Sequence, residues 1–207
     1  MRLLCAILML LVSAAPAFSE DYSFPVEHTG RKPGIADFVN AILAQEDCGE
    51  KLGEMAEDWQ AYRSGQPLPR GRFIYVDGKH GFMRYDAESP AEDDYPFSFR
   101  TAIEYKVMRC SGDRQTLVVE NTVQYRDGQP FCGQFSGLTF YLYDSRTGRM
   151  EQAYACDLVP EDYEPPGTLV TVHALRPGRC VILCKCHTES GFIYLSLIWN
   201  GKRFHIR

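Results

Sequence analysis

Apolar residues recur at Ile35, Phe38, Val39, Ile42 and Leu43, the i, i+3, i+4, i+7, i+8 spacing of one helix face. Gly49 marks a stopping point. Leu52, Met55, Ala56 and Trp59 then repeat the pattern across Glu50 to Arg63, until Ser64-Gly65-Gln66-Pro67-Leu68-Pro69 breaks it. The spacing predicts a helical hairpin, or one interrupted helix, whose apolar face must pack on the rest of the chain.

After Pro69 the period changes to two. Arg72–Val76 and Gly81–Tyr85 flank Asp77-Gly78, a hairpin signal, and the acidic, proline-containing run 86–97 reads as a loop. Strand-like runs follow at 101–109, 115–126, 138–144, 149–156, 168–175, 180–187, 192–199 and 202–206. Turn chemistry separates them, strongest at Asn200-Gly201, where a two-residue type I′ turn is expected. In 115–126 an apolar face of Leu117, Val119, Val123 and Tyr125 is interrupted by Asn121. In 192–199 one face (Ile193, Leu195, Leu197, Trp199) is wholly apolar. The other (Phe192, Tyr194, Ile198) is broken only by Ser196, which predicts a strand covered on both sides. The fold class expected is α+β, β-dominant: an N-terminal helical hairpin packed on an antiparallel meander, as a barrel, sandwich or curved sheet.

The first nineteen residues stand apart. Arg2 is followed by an unbroken apolar run of ten, Leu3 to Val12, and then by the small residues Ser13, Ala14, Ala15, Ala17 and Ser19. That order is a secretory signal peptide, too short for a spanning helix, with cleavage expected before Glu20 rather than before Phe18. Cys5, near the front of the run, is one more apolar residue of the discarded segment. The expected organisation is 1–19 signal peptide, 20–69 lead-in and helical region, and 70–207 antiparallel β-domain. No second apolar stretch is long enough to span a bilayer, so the mature chain is expected to be soluble and secreted or periplasmic.

At 207 residues with 45% apolar composition, the chain is sized for one globular domain. Its charge is uneven: residues 20–167 carry a net −11 and residues 168–207 a net +5. Such asymmetry marks an interaction surface, or strands that pair with the acidic remainder inside one fold. A net-acidic exported chain without a basic aromatic stripe is not expected to bind nucleic acid.

Eight cysteines less Cys5 leave seven, an odd number. In an oxidising compartment disulfides are expected with at least one thiol left over. A meander places Cys110 and Cys180 at one rim, and Cys132, Cys156 and Cys186 at the other, so Cys132–Cys156 is the favoured bridge. Cys110–Cys132 is disfavoured, because a hairpin about 25–30 Å long would separate the two. Cys180, Cys184, Cys186 and His187 form a possible thiol or metal cluster. It lacks a CxxC pair, and His187 points away from Cys186 in a regular strand. No metal and no cofactor is expected. Loop residues Asp86, Glu88, Glu92, Asp93, Asp94 and Tyr95, with Tyr163 in the 157–167 loop, are candidate contacts with a partner. No phosphate loop, nucleophile elbow or histidine pair is legible. The favoured function is therefore a non-enzymatic binding or inhibitory module whose partner is another exported or envelope protein. The alternative is a thiol-dependent or metal-binding protein, or an enzyme of unrecognised type, using the Cys180/Cys184/Cys186 cluster.

Overall fold

The computed structural model describes residues 23–45, 49–91, 96–112, 114–131 and 137–207. A short strand β1 (Ser23–Pro25) precedes helices α1 (Ile35–Leu43) and α2 (Gly49–Arg63). Strands β2 (Arg72–Asp77), β3 (Phe82–Ser89), β4 (Phe99–Arg109), β5 (Gln115–Arg126), β6 (Gln129–Phe131), β7 (Gly137–Asp144) and β8 (Arg149–Ala153) come next. A helical turn α3 (Ala155–Leu158) leads to β9 (Thr168–Leu175), β10 (Val181–Thr188), β11 (Gly191–Trp199) and β12 (Phe204–Ile206). The fold is α+β with strand dominant. Its eight-stranded sheet has the order β1-β8-β7-β5-β4-β3-β2, with β6 on β5, and β9 to β12 form a separate four-stranded meander. Neither sheet closes into a barrel.

Alternation along the strands builds three layers. Met83, Tyr85, Ile103, Tyr105, Val118, Tyr143 and Met150 face the helices and meet Ile35, Phe38, Ile42, Met55 and Trp59. The opposite faces of the same strands present Phe82, Met108, Leu117, Val119 and Phe140 to Leu175, Ile182, Leu197 and Phe204 of the second sheet. The expected helix faces are the buried ones. A polar anchor reinforces the helical layer: Asp58, buried on α2, accepts the Tyr85 hydroxyl at 2.8 Å and Arg72 at 3.0 Å.

The second sheet is seated by polar groups. Glu104 of β4 is 4% exposed, and one of its oxygens accepts Arg84 at 2.9 Å. The other accepts Asn121 Nδ2 at 3.0 Å and the backbone N–H of Leu175 at 2.8 Å. Asn121 Nδ2 also donates to the His173 carbonyl at 2.9 Å. Along β9, then, Leu175 meets β4, His173 meets β5, and Thr171 lines a pocket with Leu138 of β7. Because β4, β5 and β7 are successive neighbours, β9 runs across them, an orthogonal packing of sheets. At the far end the Trp199 indole donates to the Arg109 carbonyl at 2.7 Å, and Ser111 N donates to the Gly201 carbonyl at 2.6 Å. A side chain at Gly201 would put its Cβ 2.9 Å from Ser111 N and closer still to its hydroxyl, so only glycine allows this approach.

Several local expectations differ from the structure. The run 86–97 is strand as far as Ser89, because Asp86 sits between the guanidinium groups of Arg84 and Arg100. The run 149–156 ends at Ala153 and turns helical, which drives Leu158 into the inter-sheet core. Trp199 pairs with Phe204, so Asn200 to Arg203 form a four-residue loop instead of a type I′ turn. The Asn200 carboxamide accepts the N–H groups of Lys202 and Arg203 there. The positive-φ pair occurs at Asp127 (49°) and Gly128 (75°), between β5 and β6.

Trp59 is buried against the sheet and donates to Asn40 Oδ1 at 2.6 Å, tying α2 to α1. Trp59→Ala should cost about 3–5 kcal/mol. Thermal melting of the whole chain should then fall by roughly 10 °C. A parent-like melt would make the helices a detached appendage.

Candidate functional site

The outer face of the four-stranded sheet has no layer over it among the described residues. Cross-strand register sets its rungs as Val170–His187–Phe192, Val172–Lys185–Tyr194, Ala174–Leu183–Ser196 and Val181–Ile198–His205. Phe192 is 55% and Tyr194 70% exposed. The expected second cover over 192–199 is absent from this face. Apolar side chains in all four rungs form a patch of the kind that marks interaction sites. No strand position in these rungs is acidic. Lys185 places its ammonium 3.8 Å from the centre of the Phe192 ring, and His187 meets that ring edge-on at 4.7 Å. The cation and both aromatics thus hold one another in place at low conformational cost.

A second feature lies beneath β9. A pocket of about 370 Å³ is walled by Leu138, Phe140, Val159 and Thr171, with Tyr163, Glu164 and His173 supplying its polar groups. The Tyr163 hydroxyl donates to Glu164 at 3.2 Å and lies 3.2 Å from His173 Nε2, so the imidazole proton belongs on Nε2. Burial drives His173 down to about 4, keeping it neutral at pH 7, and burial with the Glu164 charge pushes the Tyr163 phenol up. The neutral imidazole and phenol, ending on the Glu164 carboxylate, can orient a small polar group. A larger cleft, about 1100 Å³, opens beside α1 and α2 near His28 and Gln60.

The residues singled out from sequence scatter. Asp86 is held by two arginines inside β3, Glu88 is exposed near the end of that strand, and Glu92, Asp93, Asp94 and Tyr95 lie outside the described residues. Tyr163 does enter a site, the pocket under β9. Cys184 and Cys186 face the inter-sheet core, whereas Cys180 and Cys156 are exposed and Cys110 is half-buried; all five are free thiols. Burial and the neighbouring Cys186 push Cys184 up to about 12, which suits a packing residue rather than a nucleophile. His187 stands on the outer face, away from Cys186. Among the described residues no three of His, Cys, Asp and Glu gather as a metal-holding group. Cys132, and with it the Cys132–Cys156 pairing, lies outside the described residues.

Phe192 and Tyr194 were legible as apolar but not as exposed. The available signal was arithmetic: one helical region supplies one layer, and it is used on the larger sheet. The sequence matches no protein-family model, no curated protein and no solved structure.

The buried neutral imidazole sets a pH dependence. An unfolded chain binds the His173 proton from about pH 6.5 downward, whereas the folded chain resists it until about 4. Stability is therefore full above pH 6.5 and falls as pH drops toward 4, by up to about 3 kcal/mol from this group. Urea titrations across that range should show the slope in the parent and a flatter one in His173→Gln.

Proposed function

We propose that this chain is exported and acts as a non-enzymatic binding or inhibitory module, with the outer face of the four-stranded sheet as its contact surface. The observation that carries the reading is the uncovered Phe192–Tyr194–Lys185 patch on a sheet otherwise fixed from below. The order of basic, apolar and small residues in 1–19 supports export. No helix among the described residues is long and apolar enough to cross a membrane.

Charge complementarity points to the partner. The face lacks acidic strand positions, and the segment that builds it, 168–207, carries a net +5. The partner is therefore an acidic protein surface with an apolar centre, meeting the aromatic anchors Phe192 and Tyr194 and the Lys185 ammonium. The face carries Lys185 and no acidic strand position, so two copies of it would offer each other no opposite charge.

Exported material should begin at Glu20 by N-terminal sequencing. A partner captured on the mature chain from envelope extract, once identified and purified, should bind at least 10-fold more weakly to Phe192→Ala and to Tyr194→Ala. Melting of both variants should stay near the parent. Raised salt should slow association. A chain that begins at Met1, equal binding by the variants, or no captured protein would each count against the proposal.

A further inference from the structure

The pocket beneath β9, about 370 Å³, falls within the range of small-molecule sites. Part of its wall is apolar: Phe140 and Val159 are buried, and Leu138 adds an aliphatic side chain from the start of β7. Its polar groups run from His173, 7% exposed, through Tyr163 to the exposed Glu164.

An inventory of donors and acceptors decides what such a pocket can take. The Tyr163 hydroxyl gives its proton to Glu164 at 3.2 Å, and the N–H at His173 Nε2 faces the Tyr163 oxygen at 3.2 Å. Thr168 Oγ1 donates to the Pro165 carbonyl at 2.7 Å, and Thr171 Oγ1 donates to Cys186 Sγ at 3.7 Å. Every side-chain donor among the described lining residues is thereby committed to the protein. What remains is acceptor capacity: the second oxygen of Glu164, His173 Nδ1, and a lone pair on each hydroxyl. Burial keeps the imidazole neutral at pH 7, so its Nδ1 stays an acceptor in this tautomer.

Charge points the same way. No lysine or arginine is among the described residues that line the pocket, so Glu164 is its one formal charge at pH 7. Residues 157–167, which lead into β9, carry Asp157, Glu161, Asp162 and Glu164 and no basic residue. Their field favours the approach of a cation. An anion would meet Glu164 without a compensating donor, and a carbonyl compound would leave its own acceptor unpaired. A group that brings both positive charge and N–H donors meets neither penalty.

We propose that this pocket binds a small organic amine in its ammonium form, its N–H donors shared by Glu164 and Tyr163 and its aliphatic or aromatic body held against Leu138, Phe140 and Val159. The inference does not rest on the contact surface proposed above, since neither Phe192 nor Tyr194 lines the pocket.

The folded mature chain is titrated at pH 7 with three probes of similar size, phenethylamine, phenethyl alcohol and phenylacetate. Binding is followed by calorimetry and by the methyl NMR resonances of Leu138, Val159 and Thr171. The amine should saturate, shift those methyls and bind roughly 10-fold more tightly than the alcohol, while phenylacetate should bind more weakly than either. Glu164→Gln alters an exposed side chain, so the fold should persist; the amine should fall to the level of the alcohol, and the alcohol should be unchanged. Glu161→Gln, which removes a loop carboxylate outside the pocket, should change amine binding by no more than about 2-fold. The proposal is overturned by an amine that fails to saturate in the millimolar range, or whose shifts fall away from these methyls. Equal binding of amine and alcohol, tighter binding of phenylacetate, or equal losses from Glu161→Gln and Glu164→Gln would overturn it too.

Discussion

One buried carboxylate sets the relation between the two sheets. Glu104 surrenders its hydration to sit between layers, and it recovers that cost through three donors from three different elements. Arg84 reaches it from β3, Asn121 from β5, and the main chain of Leu175 from β9. The last contact matters most, because it fixes a backbone atom of the smaller sheet to a side chain of the larger one. The apolar surfaces of Met108, Leu117, Phe140 and Leu197 supply the bulk of the attraction between sheets, but they are non-directional. Glu104 and Asn121 select the crossing in which β9 runs over β4, β5 and β7 rather than along them.

That crossing places the remaining chemistry. It buries His173 beside Asn121 and leaves a pocket under the start of β9. It brings Gly178 against the His80 ring, and it turns the Phe192–Tyr194 side of β11 away from every other layer among the described residues. The helices cannot compensate, since Asp58, Trp59 and Phe38 already commit them to the opposite face of the larger sheet. An uncovered apolar face on one side of the smaller sheet and a buried polar junction on the other are thus consequences of one seating geometry.

Much of this was legible from residue patterns, and the failures are informative. The helix face of Ile35, Phe38, Val39 and Ile42 and the bounds of β5 and β9 follow from periodicity, because burial on one side is what periodicity records. β1 and β6 escape such a reading: each is three residues long and exists because a neighbouring strand offers an open edge. Asp86 looked like loop chemistry because its second partner, Arg100, becomes a neighbour only after β3 and β4 pair. Asn121 was visible as a break in an apolar face, yet nothing local distinguishes a flaw from a hydrogen-bonded junction. Its counterpart Glu104 lies in the next strand, and the backbone it holds lies beyond a long stretch of intervening chain. The exposure of Phe192 and Tyr194 depends on counting layers, which no single strand reveals.

The most direct test of the account is urea unfolding of Glu104→Ala in a Trp59→Phe background, where Trp199 is the sole indole of the two in the chain and reports the smaller sheet. Loss of the carboxylate leaves Arg84, Asn121 and the Leu175 N–H without their shared acceptor, and should destabilise the Trp199 transition by about 3–5 kcal/mol. A Trp199 transition within about 0.5 kcal/mol of the Trp59→Phe parent, the range of an ordinary surface substitution, would contradict the claim that Glu104 seats one sheet upon the other.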